Sequence, residues 1–84
     1  MTLKETIPLM VSEDYKERFK AEFYQLQIRH EKLVDMLEKY RTNTLDFKPN
    51  TPYEVLLIQC NEMNNYLNSL ALRAEIENID LGEA

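Results

Sequence analysis

The stretch FKAEFYQLQIRHEKLVDMLEKY, residues 19–40, carries apolar or aromatic side chains at Phe19, Phe23, Leu26, Leu33, Leu37 and Tyr40. The spacing alternates four and three, with His30 standing where the next apolar residue belongs. An α-helix brings residues three and four apart onto one face. The pattern therefore predicts an amphipathic helix with a heptad seam, positions 23, 30 and 37 as a, and 19, 26, 33 and 40 as d.

Working outward, Ser12 is the expected N-cap, because its hydroxyl can accept an otherwise unpaired backbone N–H. Glu13 and Asp14 follow at the positive end of the helix dipole, and Lys39 and Arg41 stand near the negative end. Asp14 with Arg18, and Asp35 with Lys39, are four apart and suit outer-face ion pairs. The first helix is expected over 12–41. The linker TNTLDFKPNT, 42–51, allows an antiparallel return, with Leu45 and Phe47 as its expected anchors. Thr51-Pro52-Tyr53-Glu54 then reads as a capping box with proline at the first helical position. Tyr53, Leu56, Cys60, Met63, Leu67, Leu70 and Ala74 repeat the three-four spacing. The second helix is expected over 52–78, ending near Asn78.

The fold class that follows is all-α: a two-helix antiparallel hairpin with a coiled-coil-like seam over 12–81, preceded by a lead-in segment 1–11 and followed by a tail 82–84. The lead-in holds Leu3, Ile7, Pro8, Leu9, Met10 and Val11, so it should pack on its own chain or on a neighbour's.

At 84 residues the chain is one domain with a small core. Such chains gain stability from disulfides, a metal or oligomerisation. A single cysteine and a single histidine exclude an internal disulfide and a Cys/His zinc site, so no metal or cofactor is expected; a homo-oligomeric helical bundle is, with unusually good helix packing as the alternative. The net charge of −5 argues against DNA or RNA binding, which needs a basic surface. One glycine cannot build a phosphate loop, and no serine or cysteine has a recognisable base partner, so a non-enzymatic role is expected. MTLKETIPLM places charge and proline where a secretory signal needs an apolar run, and no segment reads as membrane-spanning. With a lone cysteine, this points to the cytosol.

Two features lie off the seams. From Val55 to Leu72 only Glu62 is charged, and Leu57, Ile58 and Leu72 stand beside Asn61, Asn64, Asn65, Asn68 and Ser69. Uncharged amides among apolar residues suit a second buried face, since interface cores are depleted of charge. Leu57, Ile58, Asn61, Asn64, Asn65, Asn68 and Leu72 are thus the expected interface. On the first helix, Tyr24 and Ile28 form a smaller off-seam pair that suits an oligomer or partner groove. His30 at an a position either fixes register or oligomer state, or contacts a ligand. Arg18, Arg29 and Arg73, with Tyr15, Tyr24, Tyr53 and Tyr66, are the side chains most able to hold an anionic, aromatic ligand, through a bidentate fork and a stacking face. The expected ligand set is Tyr15, Arg18, Tyr24, Arg29, His30, Tyr66 and Arg73.

The run SEDYKERFKAEFYQLQIRHEKLVDMLEKY, then LDF, then a second helix closing LALRAEIENIDL, resembles a family of small proteins from phages and prophages of gut bacteria, related to a protein of crAss-like phages. The resemblance spans most of the chain and implies no activity. A looser, architectural likeness is to phage anti-CBASS sponges, small helical oligomers that sequester cyclic nucleotides without cleaving them. It rests on size, the hairpin, and Gln59, Met63, Arg73 and Ala74 in the second helix, although the Met63–Arg73 spacing departs from theirs and an aromatic-rich signature is missing. Two binding functions are therefore expected: a sponge for a cyclic nucleotide at inter-subunit pockets, or a helical module that binds, and inhibits or assembles, a host or phage protein.

Overall fold

The computed structural model describes residues 1–82. Of the tail expected over 82–84, all but Gly82 lies outside the described residues. A 3₁₀ turn, Lys4–Thr6, leads into a one-turn helix α1, Ile7–Met10, and then into two long helices, α2, Tyr15–Arg41, and α3, Tyr53–Glu77. The two long helices pack against each other as the expected hairpin. Both predicted seams meet there. Phe19, Leu37, Cys60, Leu70 and Ala74 are buried, while Phe23, Leu26, His30, Leu33, Tyr40, Tyr53, Leu56, Met63 and Leu67 are half-buried.

The main core lies at the end where α2 begins and α3 stops. Phe19, Leu70, Ala74 and Ile79 form it, with Phe23, Leu26 and Leu81 packed around them. Ile79 and Leu81 reach the core because α3 ends abruptly. Asn78 takes the left-handed conformation at φ 57, Asn78 N donates to Glu75 O at 3.4 Å, and Ile79 N donates to Ala74 O at 2.8 Å. This is a Schellman stop with asparagine in the position glycine usually fills, and the chain folds its next apolar residue back onto the helix. The same device ends α2, where Asn43 has φ 58 and Thr44 N donates to Lys39 O at 2.9 Å.

Three local expectations are corrected. The first helix opens at Asp14 rather than Ser12. Asp14 is extended (φ −80, ψ 120) and its carboxylate accepts from Lys16 N at 2.9 Å, while Ser12 Oγ accepts from Asp14 N at 3.0 Å and so organises the turn before the helix. Arg18 accordingly leaves Asp14 and donates to Ser12 O at 2.8 Å, whereas the Asp35–Lys39 pair forms at 3.1 Å. Second, the capping box does not form. Pro52 is extended at ψ 149, its carbonyl accepts the first helical bonds from Val55 N and Leu56 N, and no side chain caps the end. The Thr51 hydroxyl is thereby one residue out of register. Third, of the linker anchors only Leu45 is partly covered, and Phe47 is 55% exposed. The loop end is closed instead by Tyr40 and Tyr53, edge to face at 5.4 Å between ring centroids.

The lead-in packs on its own chain, against the back of α2. Thr6 is fully buried. Its hydroxyl donates to Leu3 O at 2.6 Å and accepts from Gln25 Nε2 at 2.9 Å. Ala21, 1% exposed, lies one turn before Gln25, and its small side chain lets the segment approach α2 closely.

Candidate functional site

Five of the seven expected ligand residues share one flank of the hairpin. Tyr15, Arg18 and Arg29 stand on α2 to one side of its seam, and Tyr66 and Arg73 on the adjoining side of α3. Contacts across the hairpin tie the flank together. Tyr15 Oη donates to Glu77 Oε1 at 2.8 Å, and Arg73 donates to Tyr15 Oη at 2.8 Å through a terminal nitrogen and to Glu77 Oε2 at 3.2 Å through Nε. The Arg73 guanidinium also lies 5.0 Å from the centroid of the Phe19 ring, in cation–π contact. Lys16 Nζ donates to Asn78 O at 3.2 Å. Further along, Tyr66 Oη donates to Glu22 Oε2.

This bracket sets the protonation of its members. The hydrogen bond from Tyr15 holds the Glu77 carboxyl below its ordinary value, helped by Arg73. The same bond pushes the Tyr15 phenol up, and the Glu77 hydrogen bond raises the Arg73 guanidinium. At neutral pH the bracket is therefore an anionic carboxylate, a neutral phenol and a cation. Arg73 is occupied by partners of its own chain. Arg18 gives one donor to the Ser12 carbonyl. Arg29 is exposed and makes no ion pair or hydrogen bond among the described residues. The three arginines thus differ in what an arriving anion must displace: nothing at Arg29, one backbone contact at Arg18, a carboxylate at Arg73.

The other two expected residues stand apart. His30 is half-buried in the seam and makes no side-chain hydrogen bond among the described residues. Tyr24 sits on the opposite flank, where its hydroxyl donates to Leu81 O at 2.6 Å and its ring meets Phe23 edge-on at 6.0 Å. There it lines a groove of about 520 Å³ with Phe23, Gln27, Ile28, Glu31, Met1, Leu81 and Gly82. The volume falls in the range of small-molecule sites. Sequence reading found the Tyr24–Ile28 half of it. Gln27 and Glu31 follow Phe23 at four-residue intervals, a signal that could have found them. The part played by Leu81 and Gly82 depends on the return of the chain after Asn78. Glu31 gives this groove a carboxylate, whereas the opposite flank holds Arg18, Arg29 and Arg73 together with Glu22 and Glu77.

The expected interface residues all lie in the open. Leu57, Ile58 and Leu72 are 39%, 59% and 58% exposed, and Asn61, Asn64, Asn65 and Asn68 are exposed with them. Within the described residues of the single chain, that face is uncovered. No group of metal-ligating side chains is found among the described residues, and no helix is long and apolar enough to cross a membrane.

The hairpin itself is what matches a known family. The Sequestin family model matches residues 13–76. The chain belongs to the Sequestin family. The match takes in α2, the loop and α3 almost to its end, and so includes Arg18, Arg29, Arg73, Tyr15 and Tyr66 as well as the whole amide-rich face. The lead-in and the Ile79–Gly82 return fall outside it. No curated protein matches the chain, and no solved structure does.

Proposed function

We propose that the protein is a non-enzymatic phage-type accessory protein of the bacterial cytoplasm, which sequesters a cyclic-nucleotide immune signal at sites completed between protomers. The observation that carries this reading is the Sequestin match over the segment that brings Arg18, Arg29 and Arg73 to one flank. The family name fits a protein that holds its ligand rather than converts it. An arginine fork suits phosphate oxygens, and the exposed Tyr15 and Tyr66 rings offer faces for a base. One protomer's flank is open, so a second copy is needed to wall the ligand from water.

Native mass spectrometry with a panel of cyclic di- and trinucleotides tests the proposal. The expected result is an oligomer that gains ligand mass in a fixed ratio and releases the ligand intact. Arg29→Glu, at an exposed position with no partner to lose, should abolish the gain with helicity unchanged. Unaltered capture by Arg29→Glu and by Arg18→Glu would remove the arginine flank from the reading. A second reading, a module that docks on a host or phage protein, is favoured by the exposed apolar residues of α3, of which Ile58, Leu72 and Ile76 lie along one side of the helix. Asn64→Lys with Asn68→Lys should then block the partner complex and spare nucleotide capture.

A further inference from the structure

The groove beside Tyr24 takes no part in holding an anion. It lies on the flank away from Arg18, Arg29 and Arg73, and its walls at Met1, Leu81 and Gly82 fall outside the segment that matches the Sequestin family. We propose that this groove binds a small organic cation, an ammonium head on an aromatic or aliphatic body, held by Glu31, Gln27 and the rings of Phe23 and Tyr24.

The groove owes its shape to the return of the chain after α3. Asn78 turns the backbone at φ 57, and Leu81 packs against the core beside Phe23. Two hydrogen bonds fix the rim. Tyr24 Oη donates to Leu81 O at 2.6 Å, and Gly82 N donates to Asp80 Oδ1 at 2.8 Å. Gly82 has φ 75, where a side chain would be strained. The space of about 520 Å³ is therefore bounded by fixed backbone as well as by α2 and suits a small molecule.

The polarity of the lining selects the ligand. Met1, Ile28 and Leu81 supply apolar surface. The rings of Phe23 and Tyr24 stand at 72° to one another and form a corner, and an aromatic face attracts a cation. The Tyr24 proton is spent on Leu81 O, so its oxygen has only lone pairs left to offer. Glu31 when ionised is acceptor-only, and among the described residues it makes no ion pair, unlike Asp35, Glu38 and Glu77. Gln27 is half-buried, and its amide makes no side-chain hydrogen bond among the described residues.

No lysine or arginine side chain lines the groove. Lys20, one turn before Tyr24, stands outside it, and the Met1 amino group makes no ion pair with Glu31. The groove thus offers lone pairs, one carboxylate and aromatic faces. An anion would meet Glu31 directly. A neutral apolar body would strip water from Gln27 without replacing its hydrogen bonds. An ammonium ion donates to Glu31 and Gln27 and sets its charge beside the rings, while its body covers Ile28 and Leu81. Glu31 is exposed, so solvent screens the pair and the preference for charge is modest, about fivefold.

The test is a titration of the full chain, followed by the backbone amide resonances, with three probes that share one phenyl body: 2-phenylethylammonium chloride, 2-phenylethanol and phenylacetate. The ammonium should shift the amides of Tyr24, Gln27 and Glu31 saturably, about fivefold more tightly than the alcohol, and phenylacetate should not saturate them. Added salt should narrow the gap between ammonium and alcohol. Glu31→Gln, at an exposed position with no partner to lose, should bring the ammonium down to the level of the alcohol with helicity unchanged. Glu54→Gln, at the far end of α3, should leave the preference intact. Equal binding of ammonium and alcohol, a preference that survives Glu31→Gln, or no saturable shift at these amides would overturn the proposal. No nucleotide enters the experiment and no arginine is altered, so its failure leaves the sequestering function standing, and the failure of that function leaves this site standing.

Discussion

Leu70→Ala is the perturbation that most directly probes the geometry under the arginine flank. Leu70 is 1% exposed and sits between Phe19, Ala74 and Ile79, with Phe23, Leu26 and Leu81 around them. Its removal takes away a buried isobutyl group and leaves a void that a hairpin this thin closes only in part. Comparable truncations cost about 2–5 kcal/mol, and one at the centre of a small core should cost about 3 kcal/mol. A chain of this length has a total stability of about 4–13 kcal/mol, so the variant loses a quarter to most of it. With an m-value near the low end for small proteins, about 1 kcal/mol/M, the urea midpoint should fall by roughly 2–3 M. The assay is urea unfolding followed by helical circular dichroism at several protein concentrations, so that any assembly contribution separates as a concentration dependence. Ile58→Ala at 59% exposure is the control, expected to act through assembly alone. The consequence reaches the site, because α3 near Leu70 carries Arg73 to Phe19 and Tyr15. A loss of less than about 1 kcal/mol for Leu70→Ala would refute the placement of the core at this end of the hairpin.

Four further outcomes follow from the structure. The Tyr15–Arg73–Glu77 bracket should respond to pH at both limits. Glu77 is depressed from its ordinary 4.5, so its contribution is present above that value and is lost as pH falls below it. Tyr15 is raised from 10.0, so its contribution is present below that value and is lost as pH climbs past it. Stability measured against pH should show both limbs, and Glu77→Gln should flatten the acid one. Asn78→Val should lower stability by about 1–2 kcal/mol in thermal unfolding, because a β-branched residue resists the left-handed turn, while Asn78→Gly should be neutral or better. Thr6→Val leaves Gln25 Nε2 without its hydroxyl acceptor and should cost about 1 kcal/mol. Hydrogen exchange should show residues 4–10 losing protection before α2 or α3 does.

The hairpin was legible because its signal is local. The three-four spacing from Phe19 to Tyr40 and from Tyr53 to Ala74 reports which side of each helix is apolar, and backbone geometry alone makes that a helix face. The stop at Asn78 was legible too, although the chain's turn back from it to bury Ile79 was not, because that depends on where Phe19 stands on the other helix. Helix starts were misread by one or two residues where several capping residues competed. Ser12 and Asp14 both offer an oxygen, and the backbone angles at Asp14 decided between them. Thr51 and Pro52 posed the same choice, decided by the extended ψ of Pro52.

The site divides along the same line. Sequence determined which residues could hold an anion and which face lacked charge, because side-chain chemistry and helical period are properties of the chain itself. Only the tertiary structure decided that Arg73 is bound by Tyr15 and Glu77 while Arg29 is free of partners among the described residues, that Tyr24 belongs to a different groove from Arg18, and that the lead-in covers α2 and leaves α3 open. Those facts depend on the register in which one helix lies against the other, and register is set by packing between residues some sixty positions apart, such as Tyr15 and Glu77.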